Sequence, residues 1–65
     1  MDTLYARIKE LASSHGLSIR ELEAQLHLSN GTIGRWRKST PGVDKIEAVA
    51  KHFDVSVDYL LGRTD

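Results

Sequence analysis

Arg35, Arg37, Lys38 and Lys45 fall within eleven residues and are opposed there only by Asp44. Cations gathered this closely suit phosphate groups, through point charge from lysine and a planar donor fork from arginine. Nine basic residues balance nine acidic ones across the chain, so the net charge is zero. Taken alone, that balance speaks weakly against a polyanionic partner. Distribution matters more than the sum: Glu10, Glu47, Asp54, Asp58 and Asp65 lie outside the cluster, and a local basic face on a neutral body can still hold phosphate. Other chemistries find less support. His15, His27 and His52 are widely spaced, with no pair four apart and no Cys in the chain, so neither a metal site nor another cofactor is expected. Ser, His and Asp occur, but no nucleophile motif or Gly-rich phosphate loop surrounds them. Sixty-five residues leave little room for a substrate cleft, and catalysis is not expected.

The elements that must position the basic cluster are helical. Leu4, Ile8 and Leu11, with Ala12 beside them, recur at helical spacing. Asp2 or Thr3 can cap this first helix, and His15-Gly16 stops it. Ser18 followed by Glu21 forms a capping box for a second helix, with Leu17 as its hydrophobic staple and Leu22 and Leu26 on its apolar face. Ser29 is the expected cap of a third helix, with Ile33 and Trp36 facing inward. Ser39-Thr40-Pro41-Gly42 reads as a loop. Val43, Ile46, Val49, Ala50 and Phe53 mark the inward stripe of a fourth helix. Asp54-Val55 turns the chain, and Ser56 caps a short fifth helix bearing Val57, Leu60 and Leu61, closed by Gly62. The tail Arg63-Thr64-Asp65 is expected to fray. Asn30-Gly31 also matches a type I′ hairpin turn, but the flanking residues do not alternate, and a helix is preferred. No strand pattern or internal repeat is visible. The expected fold is all-α, a compact bundle of five short helices forming one domain over residues 1–65. No apolar run approaches the ~20 residues of a membrane span. Arg7, Lys9 and Glu10 interrupt any leader-like stretch, so the cytoplasm is the expected compartment.

From Leu17 to Trp36 the chain reads as two short helices joined by a tight turn, the second running into Arg35-Trp36-Arg37-Lys38. That is the layout of a helix-turn-helix, which lays its second helix in the major groove of DNA. With Gly16-Leu17-Ser18, Glu21-Leu22, Leu26, Leu28-Ser29, Thr32-Ile33, Arg35-Trp36, Pro41 and the closing run Val55-Ser56-Val57-Asp58-Tyr59-Leu60-Leu61-Gly62, the chain resembles the lambda-repressor-like helix-turn-helix regulators, the XRE family. The closing run is similar to the ending of many repressors from Firmicutes and their phages. The resemblance covers nearly everything from Arg7 to Gly62, with the motif itself at about 18–37. Three positions depart from the pattern. Glu23 stands where a small residue is common. An unpaired carboxylate buried there would be costly, so Glu23 is expected to lean outward, or to pair with Arg20 or a basic residue of the third helix. His27 stands where the turn favours Gly. Ile19 replaces a Gln that contacts phosphate in many members.

The resemblance implies that Asn30, Gly31, Thr32, Gly34 and Arg35 face the bases. Asn can pair bidentately with adenine and Arg with guanine, each worth ~1–3 kcal/mol of discrimination. Arg20, Ser29, Arg37, Lys38, Ser39, Thr40 and Lys45 are candidates for phosphate, with Ser29 and the start of the third helix offering hydroxyl and N–H groups. Arg20 fits surface charge equally well. Gly31 and Gly34 either let the helix backbone approach DNA closely or simply weaken the helix. Trp36 is expected in the core, and Tyr5 and Tyr59 as half-buried packing residues. The function implied is sequence-specific binding of double-stranded DNA by a bacterial or phage transcriptional regulator, with a repressor at an operator expected. One recognition helix reads few base pairs, so a homodimer on two half-sites is expected. It would pair through Val57, Tyr59 and Leu60 or through a C-terminal domain outside this chain. Zero net charge and the thinned reading face keep open a protein-interaction module, or an antitoxin-like partner, on the same helical frame.

Overall fold

The computed structural model describes residues 3–63. Leu4, Ile8 and Ala12 make the buried stripe of α1 (Thr3–Ser14). Helix α2 (Ile19–Gln25) contributes Leu22, and the single-turn α3 (Thr32–Arg35) contributes Ile33. Helix α4 (Val43–Phe53) turns Ile46, Val49, Ala50 and Phe53 inward, and α5 (Val57–Leu60) adds Leu60. With Trp36 these side chains form one continuous core. Helix α1 packs on α2 and α5, α4 packs on α5, and α2 packs on α3. The last of these contacts positions the motif. No strand occurs among the described residues. The expected five-helix, all-α fold is the observed one.

Helix starts follow local chemistry. The Ser18 hydroxyl accepts from the Glu21 N–H at 3.0 Å, and the Glu21 carboxylate accepts from the Ser18 N–H at 2.9 Å, completing the capping box. The Ser56 hydroxyl accepts from the Tyr59 N–H at 3.0 Å. Thr3 already lies inside α1, and Asp2, the other cap candidate, lies outside the described residues.

Helix ends share one device. After α1, α2, α4 and α5 a single residue adopts left-handed backbone: Gly16, His27, Asp54 and Gly62. In each case the next N–H reaches back to a carbonyl five residues earlier: Leu17 to Ala12, Leu28 to Glu23, Val55 to Ala50 and Arg63 to Asp58, at 2.8–2.9 Å. This is the Schellman closure, which satisfies otherwise orphaned carbonyls. In the first three it delivers an apolar residue, Leu17, Leu28 or Val55, onto the core.

Two expectations fail here. Val43 is 67% exposed. It shares a face with Ile46, but it is the first residue of α4, and that end overhangs the core. Leu60, expected on a pairing surface, is completely enclosed, because the short α5 turns it between α1 and α4. Of the expected frayed tail, Arg63 donates its N–H to the Asp58 carbonyl at 2.9 Å and its exposed guanidinium lies 3.7 Å from the Asp58 carboxylate. Thr64 and Asp65 lie outside the described residues.

Candidate nucleic-acid interface

Between α2 and α3 the chain turns through His27, whose φ of 59° confirms the left-handed conformation expected where Gly is common. The third helix differs from its sequence reading. Ser29 does not cap it. Its N-cap is Gly31, at φ 88°, and no side chain of the cap residue bonds to the helix. The backbone therefore favours glycine at 31 irrespective of any ligand, and Gly31 stands before the helix rather than within it. Asn30-Gly31 does form a turn, but φ is not positive at Asn30, so it is no type I′ hairpin.

The missing cap is supplied from α2. Glu23 is only 3% exposed. One carboxylate oxygen accepts from the Gly31 N–H at 3.1 Å, the other from the Ile33 N–H at 2.8 Å. The N–H between them, that of Thr32, donates to the Ser29 carbonyl at 3.1 Å. Glu23 thus neither leans outward nor pairs with a cation, because two backbone donors already satisfy it. Hydrogen bonds to a charged group contribute about 1.5–3 kcal/mol each, which counters part of the cost of burying a carboxylate. Among the described residues no buried side-chain polar atom lacks a partner. The N–H groups of Gly31, Thr32 and Ile33 are all engaged internally.

The reading candidates lie around this clamp. Asn30 is exposed, and its Oδ1 accepts from Arg20 Nε at 3.3 Å. Arg20 thereby sits beside the turn rather than projecting away from it. Thr32 is half-buried, and its Oγ1 accepts from Arg35 Nη2 at 3.4 Å, one turn on. Gly34 has open space where a Cβ would stand, with nothing within 4 Å, so packing does not require its glycine.

Beyond α3 the chain continues in tight turns to Ser39. Trp36 is buried as expected. Arg37 Nε donates to the Gly34 carbonyl at 3.2 Å, and its guanidinium lies 5.3 Å from the Tyr5 ring centroid. Lys38, Ser39, Thr40 and Lys45 are exposed, as is Ser29. Arg20, Asn30, Thr32, Arg35 and Arg37 are thus linked to the motif by hydrogen bonds, whereas Lys45 reaches the surface from α4. On α5, Val57 and Tyr59 are half-buried, and Arg7 covers the Tyr59 ring at 4.6 Å from its centroid.

The residue of this face that the sequence pattern misplaces is Glu23. Its signal was present as a carboxylate at an inward helical position beside Leu22, but its partners are amides eight and ten residues later.

No group of three or more candidate metal ligands occurs among the described residues, and none of their helices is long and apolar enough to cross a membrane. Comparison with known proteins agrees with the geometry. A helix-turn-helix family matches residues 8–60. The chain is also similar to the uncharacterized HTH-type transcriptional regulator YobD of Bacillus subtilis (strain 168), at 33% identity over 61 residues, covering 91% of this chain and 54% of the relative. It therefore spans about half the length of that protein. No solved structure matches the chain. A capped α2, a left-handed turn and a basic α3 over a five-helix core, together with the family match, place the chain in the helix-turn-helix family of XRE type, a family of DNA-binding transcriptional regulators.

Proposed function

We propose that this chain is a single helix-turn-helix domain, with its motif at about 18–37, that binds an operator in double-stranded DNA for a cytoplasmic transcriptional repressor. The observation that carries this reading is the grouping of Asn30, in the turn before α3, with Thr32 and Arg35 on α3, flanked by Arg20 on one side and by Arg37 and Lys38 on the other. Polar groups able to distinguish base edges lie in the middle and cations at the margins, as groove reading requires. Asn30, Gly31, Thr32, Gly34 and Arg35 face the bases, and Arg20, Ser29, Arg37, Lys38, Ser39, Thr40 and Lys45 take the phosphates. A homodimer places two copies on half-sites one helical turn, ~34 Å, apart. Val57 and Tyr59 are the surface candidates for pairing within this chain, and a further segment of a longer protein is the other route.

Selection of bound duplexes from a random pool tests the reading. The expected product is an enriched motif with two-fold symmetry. Enrichment without any motif overturns sequence-specific reading. Retention of no duplex favours the protein-interaction module, which the zero net charge would then suit.

A further inference from the structure

We infer that Glu23 is a positioning residue for base recognition: its carboxylate, holding the N–H groups of Gly31 and Ile33, sets the direction of α3 and hence where Asn30, Thr32 and Arg35 meet DNA. The inference rests on the reading of this face as a DNA-binding surface.

Helix α3 has four residues and cannot hold its own direction, since one turn fixes several dihedrals for few hydrogen bonds. Ile33 and Trp36 anchor its inner side in the core. Its start has no cap of its own, because Gly31 has no side chain and Ser29 makes no capping bond. What remains there is Glu23, whose two oxygens take alternate amides on either side of Thr32. Two fixed points on one short segment define its rotation as well as its position. Arg20 stands one turn earlier on α2 and holds Asn30, so two α2 side chains three apart grip the reading segment directly.

The charge supplies a second consequence. A carboxylate beside a DNA-binding face repels the phosphate backbone, so its presence works against sequence-independent attraction. Repulsion of this kind weakens all duplexes alike, so positioning alone raises the ratio of selected-site to random-duplex affinity. A role confined to stability leaves that ratio unchanged in folded protein.

The test uses the duplex most enriched by the wild-type chain and a scrambled duplex of equal length. In Glu23→Gln one amide keeps an acceptor while the other meets the new NH2, a donor facing a donor. The expected result, in protein shown to be folded by circular dichroism, is a fall of about tenfold in affinity for the selected duplex, with scrambled-duplex affinity unchanged or raised. Amide exchange at Gly31 and Ile33 should be slow in the wild type and accelerated in the variant. An unchanged affinity ratio in folded Glu23→Gln, or unprotected Gly31 and Ile33 amides in the wild type, overturns the inference. If the Gln variant does not fold, the same ratio is read on Glu23→Asp, which keeps the charge and shortens the reach. Failure of both to fold, even in trimethylamine N-oxide, assigns Glu23 to the fold and overturns the positioning role. A wild-type chain that enriches no duplex removes the base-reading function, and this inference with it.

Discussion

Arg35 and Lys38 lie three residues apart and are expected to do different work. Arg35 belongs to α3, where its guanidinium bonds to Thr32, and a planar fork on the reading element suits a guanine edge. Lys38 projects as an exposed point charge from the turn after α3. Arg35→Ala should therefore cost about 1–3 kcal/mol on the preferred duplex and flatten discrimination, whereas Lys38→Ala should weaken all duplexes alike; fluorescence anisotropy with matched and mismatched duplexes separates the two. Gly34 poses a sharper choice, because neighbouring atoms leave space for a methyl group there. Gly34→Ala should raise stability by about 0.5–1 kcal/mol in denaturant titration. If the helix backbone approaches DNA at this point, the same variant loses affinity. Unchanged affinity removes close approach as the reason for the glycine.

At the scale of elements, caps decide much of the behaviour. The Ser18 N–H, and then the Ser18 hydroxyl, hold the Glu21 carboxyl below the usual glutamate range. A lowered native value means that the unfolded chain binds the proton more readily, so this contribution to stability is complete above the unfolded value and lost as pH falls through the folded one. The stability gap between wild type and Glu21→Ala should accordingly shrink on acidification, as followed by thermal melts over a pH series. His27 offers a test of opposite sign. Its left-handed backbone carries a steric cost of about 1 kcal/mol that glycine avoids, so His27→Gly should raise the melting temperature by about 4–8 °C, with duplex binding retained. These elements also show what was legible in advance. Ser18, Glu21 and Ser56 could be read because a cap and its partner lie within one turn. The third helix was misread at its start because Ser29 resembles a cap, while the real one is a carboxylate from the preceding helix bound to amides. Amides belong to every residue and leave no mark in the sequence. Val43 was misassigned for another reason: periodicity gives the face of a helix but not how far the core extends along it.

For the whole molecule, the described residues span 28 × 24 × 20 Å, and the longest dimension falls short of the ~34 Å between half-sites one turn apart. A proposed pair of copies so placed would meet at their margins. The charge balance has its own signature. Four proposed phosphate contacts carry charge, Arg20, Arg37, Lys38 and Lys45. Four neutralised phosphates predict that the affinity of each copy falls about a hundredfold between about 50 and 200 mM salt. A much flatter dependence would show that these cations do not face the backbone. The fold class followed from local periodicity because every helix is short, whereas the reach of Glu23 to the Gly31 and Ile33 amides needed three dimensions. Finally, the chain has one tryptophan, and it is the 9%-exposed Trp36 that closes the reading helix against the core. The protein thus carries its own optical gauge at the place of interest: a red shift of its emission would report solvent entering beneath α3, without any label on protein or duplex.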